Sequence, residues 1–269
     1  MKLKDKVVVV TGSTRGIGRA IARACAQQGA KVVISSRKES VVKETCETFQ
    51  KEGFKISGIK ADVAVTADLI KLFNHSVETW GQIDVWINNA GLSAGMRFFD
   101  ELSEEEIKEV VDVNIVGIMQ ASHIIIPYFI KKGKGILINM GGLGSKGEKS
   151  PYLTSYAVTK AAVASFTKNL AEEYKKYPIS IHLVIPGMVE TDFYKDIKVS
   201  PKLNNDIKNI PFALKAFGVP AEEVGKLCAE IAAQEPGKDT GKTYSILHGT
   251  RLMKGIGLMI WYRITGKMK

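Results

Sequence analysis

The chain has 269 residues, 45% of them hydrophobic and 25% charged, with a formal net charge of +10. That balance is ordinary for a soluble globular protein with a sizeable core. Cys25, Cys46 and Cys228 are too scattered for a disulfide framework, and His75, His123, His182 and His248 show no metal-ligand spacing, so no metal is expected. Met1 to Lys6 leads into the first strand without a long apolar stretch, so no signal peptide is expected and the thiols point to the cytoplasm.

The predicted elements alternate in type along the chain. Val7–Val10 reads as a strand buried on both faces, followed by an amphipathic helix from Gly16 to Gln28 that Gly29 closes. A strand at Val32–Ser36, a helix at Ser40–Glu52 and a strand at Lys55–Lys60 come next. A helix from Asp68 to Trp80 precedes a strand at Val85–Asn88. Ser103 and Glu106 form a capping box that opens a long helix toward Ile130. A strand at Ile136–Asn139, a helix from Tyr152 to about Lys175 and a strand at Ile179–Ile185 follow. Pro220 opens another helix, and Thr243–Leu247 is the last strand. The pattern predicts an α/β fold: a single-domain, Rossmann-like, doubly wound parallel sheet with helices on both faces.

Two stretches break the rhythm. Residues 190–219 are polar, contain Pro201 and Pro211, and follow the carboxyl end of the sixth strand, where ligands bind in such sheets. They are expected to form a substrate lid within a domain spanning 1–250. Residues 251–269 form an apolar extension with Arg251, Lys254, Arg263, Lys267 and Lys269 and no acid, which is +5, half of the net charge. The extension is too short to span a bilayer. It suits either an interfacial helix on a membrane or a helix that covers a neighbouring subunit or closes the substrate pocket. No nucleic-acid motif is present.

Two motifs carry chemistry. The turn Thr11–Gly18 follows a strand and opens a helix, the setting of a dinucleotide-phosphate cradle, with Gly12, Thr14, Arg15, Gly16, Ile17 and Gly18 as its candidate residues. The second strand ends in Ser36, Arg37 and Lys38 instead of a carboxylate. Cations at that place suit a 2′-phosphate, so NADP(H) is expected over NAD(H). Tyr156 and Lys160 lie four residues apart on one helix, which puts them on one face. The cation favours the phenolate of a group whose ordinary pKa is about 10, giving an acid and base for the oxygen of a carbonyl or alcohol.

Over nearly its whole length the chain resembles the short-chain dehydrogenase/reductase family. The landmarks are Thr11–Gly18, Ala61-Asp62-Val63, Asn88-Asn89-Ala90-Gly91, Asn114, Tyr156 with Lys160, and Pro186-Gly187-Met188-Val189-Glu190-Thr191. The resemblance implies that Asp62 and Val63 hold the adenine and that Asn89, Ala90 and Gly91 line the cofactor. It also implies that Pro186, Gly187, Val189 and Thr191 hold the nicotinamide end. Asn114 would anchor a proton-relay water, and Lys160 would hold the nicotinamide ribose and lower the pKa of Tyr156. One landmark departs. The family places a carbonyl-polarising serine after the fifth strand, and here the run is Asn139-Met140-Gly141-Gly142-Leu143-Gly144-Ser145, with Gly142 at that place. Either Ser145 supplies the hydroxyl or the site has lost a donor. This run and the tail resemble chlorophyll(ide) b reductases, which implies reduction of a formyl group on a bulky substrate. The expected function is NADPH-dependent reduction of an aldehyde or ketone by a homo-oligomer. The alternative is an NADP-binding sensor or scaffold with weakened catalysis.

Overall fold

The computed structural model describes residues 1–190, 197–203 and 207–267. Seven parallel strands form one sheet: β1 (Val7–Val10), β2 (Lys31–Ser36), β3 (Ile56–Lys60), β4 (Val85–Asn88), β5 (Gly135–Met140), β6 (Ile179–Ile185) and β9 (Thr243–Ser245). Their spatial order is β3-β2-β1-β4-β5-β6-β9. The order reverses between β1, which pairs with β2 through Val8 and Val32, and β4, which pairs with β1 through Val9 and Trp86. A crevice opens at the carboxyl ends of strands at such a reversal.

Strand alternation divides the core into two layers. Val8 and Val10 face a layer with Ile21, Cys25, Val224 and Cys228, drawn from α1 (Gly16–Gln27) and α8 (Ala221–Ala232). Val7 and Val9 face the other layer with Leu69, Leu72, Trp86, Ile125 and Phe129, drawn from β4, α3 (Thr66–Trp80) and α5 (Gly117–Lys132). Helix α2 (Glu39–Lys51) packs on β2 and β3. Cys25 and Cys228 are buried, and burial pushes the Cys25 thiol up to about 12, consistent with a packing role. The fold therefore has the expected class and layering, with helices on both faces.

Several boundaries differ from the sequence reading. The helix that Ser103 caps runs as α4 (Glu104–Val111), passes through a π turn at Asp112–Val116, and continues as α5 to Lys132. Ser103 Oγ accepts from the Glu106 N–H at 3.2 Å while the Glu106 carboxylate accepts from the Ser103 N–H at 3.1 Å. Helix α6 (Thr154–Glu173) starts later than Tyr152, because Tyr152 sits at φ 66, in the left-handed region. Among the described residues, the predicted lid region holds α7 (Ile210–Phe217) and β8 (Gly218–Val219), and β8 pairs in parallel with β7 (Met188–Val189) just before the region. The extension is a helix, α9 (Gly249–Ile264), packed on α7.

Candidate active site

The phosphate cradle depends on closely approached glycines. Gly12 has φ +61, and a Cβ there would lie 2.9 Å from the Ala90 Cα. A Cβ on Gly18 would collide with the Gly12 carbonyl oxygen and with Asn89 Nδ2. Ser13 Oγ donates to the Val10 carbonyl at 2.6 Å and accepts from the Ser35 N–H at 3.1 Å, tying the turn to β2. The Asn89 side chain donates to the Thr11 and Gly12 carbonyls at 2.9 and 3.0 Å, so it braces the turn against β4. Thr14 is buried, Arg15 is exposed at the helix mouth, and Ile17 packs partly buried against the core. This tight turn at the start of α1 leaves room for backbone, not side chains, beside an anionic ligand, which fits a dinucleotide phosphate.

At the end of β2, Ser36 Oγ accepts from the Lys38 N–H at 3.3 Å, and Lys38 lies just before α2. The Arg37 guanidinium pairs with Glu109 of α4 at 2.9 Å, both side chains more than half exposed. A pair this exposed exchanges readily for a better anion. Asp62 receives the Ala64 N–H on Oδ1 at 3.0 Å, and Val63 is buried against Gly117, where a Cβ would lie 2.7 Å from the Val63 carbonyl oxygen. Glycine at 117 lets the helix start press onto the predicted adenine-holding residues.

The chemistry converges at the carboxyl ends of β4 and β5. Lys160 is buried, and its Nζ donates to the Met140 carbonyl at 2.9 Å. Burial alone lowers its pKa from 10.5 to about 8. The ammonium lies 5.6 Å from the centroid of the Tyr156 ring, so the pair shares one helix face as expected. A Cβ on Gly91 would lie 3.3 Å from Asn114 Oδ1 and 3.5 Å from Lys160 Nζ. Asn114 lies in the π turn, a feature frequent at functional sites. Its Nδ2 donates to the Leu92 carbonyl and to Thr159 Oγ1, and its Oδ1 accepts from the Leu92 N–H, all at 2.9–3.0 Å. The side chain thus fastens the loop after β4 to α6. Thr159 in turn donates to the Tyr156 carbonyl at 2.7 Å. Sequence reasoning passes over Thr159, and its position between Tyr156 and Lys160 is the signal that could have found it.

The loop after β5 places Ser145, the sequence candidate for the carbonyl donor, against the helix that carries Tyr156 and Lys160. Ser145 Oγ accepts from the Gly142 N–H at 3.0 Å and gives its proton to the Lys160 carbonyl at 3.2 Å. This hydroxyl therefore bridges the loop and the second turn of α6. Ser145 clasps the loop to α6. The glycine at 142 has its own reason. A Cβ there would lie 2.5 Å from Tyr156 Oη, so the phenol occupies the space a side chain would need.

On the side predicted to take the nicotinamide, Pro186 and Gly187 follow β6, with Gly187 at φ +81. A Cβ on Gly187 would meet Leu247 at 2.8 Å. Val189 is buried and pairs with Val219 of β8. Thr191 lies outside the described residues. Across the mouth, Val199 bridges Met96, and Phe98 packs edge-on to Tyr152 at 5.2 Å. Lys198 and Arg97 pair with Glu106 at 2.9 and 2.7 Å, and Lys202 pairs with Glu101 at 3.0 Å. These contacts pin residues 198–202 of the lid to the loop after β4, and no spacing in the sequence announces them.

Residues 6–201 match the model of the short chain dehydrogenase family. The chain belongs to that family. A Bos taurus protein named dehydrogenase/reductase SDR family member 4 is 31% identical over 92% of this chain and 88% of its own. A probable chloroplastic chlorophyll(ide) b reductase NYC1 of Oryza sativa subsp. japonica is 34% identical over 71% of this chain and 42% of its own length. Two crystal structures share the fold at TM-score 0.79. One is a 3-ketoacyl-(acyl-carrier-protein) reductase from Brucella melitensis with NADH, 23% identical over 90% of this chain and 97% of that one. The other is a variant of an actinorhodin polyketide ketoreductase with NADPH, 25% identical over 91% and 97%. The chain thus joins a family of oxidoreductases and shares the Rossmann-like fold of its structural neighbours.

Proposed function

We propose that this short-chain dehydrogenase reduces an aldehyde or ketone to an alcohol with NADPH. The observation that carries the reading is Tyr156 Oη standing over Gly142 with buried Lys160 beside it. The Gly-rich turn, Asp62, Val63, Gly91, Pro186, Gly187, Val189 and Thr191 would hold the dinucleotide. When bound, its nicotinamide supplies the hydride that reaches the carbonyl carbon. Tyr156 Oη gives its proton to the carbonyl oxygen as negative charge grows there, and Lys160 stabilises the phenolate left behind. Arg37 would exchange Glu109 for the 2′-phosphate, with Arg15 and Lys38 adding positive charge there. The exposed Phe98 and Leu143 near the mouth favour a bulky apolar substrate, such as the formyl group of a large ring system. The free thiols suit the cytoplasm, and exposed Val111, Met119 and Val158 on α4, α5 and α6 suit a homo-oligomer.

The glycine at 142, where the family places a serine, motivates a second reading, an NADP-binding sensor or scaffold with weakened catalysis. NADPH oxidation over a panel of carbonyl compounds separates the two: turnover supports the reductase, and tight NADPH binding without turnover supports the sensor. Arg37→Asp is expected to erase the preference for NADPH over NADH in a binding titration. Equal affinities in the unmodified protein refute the NADP assignment.

A further inference from the structure

Helix α9 carries an apolar stripe that no described residue covers. Met253, Ile256, Ile260 and Ile264 recur at steps of three and four residues, and they are 66%, 40%, 55% and 79% exposed. Trp261 stands beside them, 47% exposed, with the Lys267 ammonium 4.4 Å from its ring centre. The opposite side of the helix is firmly seated. A Cβ on Gly255 would collide with the Phe217 ring of α7, and Phe212 meets Tyr262 at 4.9 Å. Arg251 pairs with Glu223 and donates to the Gly218 carbonyl. The free stripe is therefore a held surface and not a frayed end.

We infer that α9 docks on an anionic lipid surface. Lys254, Arg263 and Lys267 accompany the stripe, Lys215 is exposed on the adjoining α7, and residues 251–269 contain no acid. Apolar residues and tryptophan between cations match the boundary of an anionic bilayer. A second copy of this chain fits less well. A two-fold contact through the stripe would set these cations against their own copies with no carboxylate in the segment to answer them. Helix α7 also touches β7, next to Pro186 and Gly187. Docking through α9 therefore brings the nicotinamide end of the cleft toward the bilayer. The substrate class that follows is a carbonyl compound dissolved in lipid. That extension rests on the carbonyl-reduction reading above; the docking itself does not.

Co-sedimentation with vesicles of phosphatidylcholine alone, or mixed with phosphatidylserine, tests the docking. Three cations near the surface predict binding stronger to the mixed vesicles on the order of a hundredfold, an advantage lost at high salt. The variant Ile256→Glu/Ile260→Glu is expected to lose vesicle binding while keeping its melting temperature. No binding by the wild type, or equal binding to both vesicles, overturns the proposal. A drop in oligomer size for the variant in light scattering also overturns it and assigns the stripe to self-association. For the substrate, kcat/KM toward a long-chain aldehyde carried in mixed vesicles should fall in the variant, with a short soluble aldehyde unaffected. Equal loss, or no loss, on both aldehydes overturns the extension. If neither aldehyde is reduced by the wild type, the reductase reading fails while the vesicle result still decides the docking.

Discussion

Replacing Lys160 by Met should abolish turnover and yet make the cofactor-free protein more stable near neutral pH. The ammonium is buried beside the Met140 carbonyl, and burial lowers its pKa from 10.5 to about 8. Holding that charge at neutral pH costs about 3 kcal/mol relative to the unfolded chain. Methionine fills similar space but gives up the bond to Met140, worth about 1 kcal/mol. The net gain is about 2 kcal/mol, which corresponds to a rise of roughly 4–8 °C in Tm for a chain of this size. The pH dependence fixes the cause. Between pH 8 and 10.5 the unfolded chain keeps the Lys160 proton and the folded chain releases it, so wild-type stability rises with pH relative to the variant. Below pH 8 the penalty is fully present. Thermal unfolding of both proteins across this range is the assay. A variant that melts at or below the wild type at neutral pH, or a gap that does not close toward pH 10.5, refutes the argument.

Tyr156→Phe should remove turnover and leave NADPH binding nearly intact, because only the hydroxyl is lost; a fully active variant in a spectrophotometric assay rejects the proton-transfer role. Ser145→Ala should lower turnover and Tm together, by roughly 1–3 kcal/mol of stability, since the Gly142 N–H and Lys160 carbonyl lose their partner. Lost turnover at unchanged Tm would instead return Ser145 to the substrate. His182 is buried edge-on to Tyr244, neither ring nitrogen has a hydrogen-bond partner among the described residues, and burial lowers its pKa to about 4. Its folded pKa lies below its unfolded value, so stability is lost as pH falls from 6.5 toward 4. His182→Phe should raise Tm and flatten this acid limb in calorimetric scans.

The sheet and the Gly-rich turn at its switch point are legible in the sequence because both rest on local patterns. Four consecutive valines at Val7–Val10 name a strand buried on both faces, and a Gly-rich turn between strand and helix has few other uses. What escapes is contact between segments distant in sequence. No spacing joins Arg37 to Glu109, or Lys198 to Glu106, because those pairs exist only once the helices are packed. The start of α6 escapes for a different reason. A helical pattern continues through Tyr152, whose backbone has turned left-handed, and periodicity carries no information about φ.

At Gly142 and Ser145 the sequence locates a departure and leaves its meaning open. The missing hydroxyl at 142 is visible by counting from Asn139, and the nearest hydroxyl invites reassignment of its role. Counting cannot reveal that the phenol of Tyr156 already occupies the space above Gly142. Nor can it reveal that Ser145 faces the first turns of the catalytic helix. Together these contacts make one unit: Ser145 draws the loop onto α6, the loop offers a glycine where the phenol must pass, and the Met140 carbonyl at its start holds Lys160. The loop thus brings two hydroxyls near Gly142: Ser145 Oγ, which accepts from the Gly142 N–H, and Tyr156 Oη, which lies 2.5 Å from where a Gly142 Cβ would stand. Under the proposed reduction, the hydroxyl of Tyr156 gives the proton, and the Ser145→Ala measurement above decides whether Ser145 shares in orienting the carbonyl.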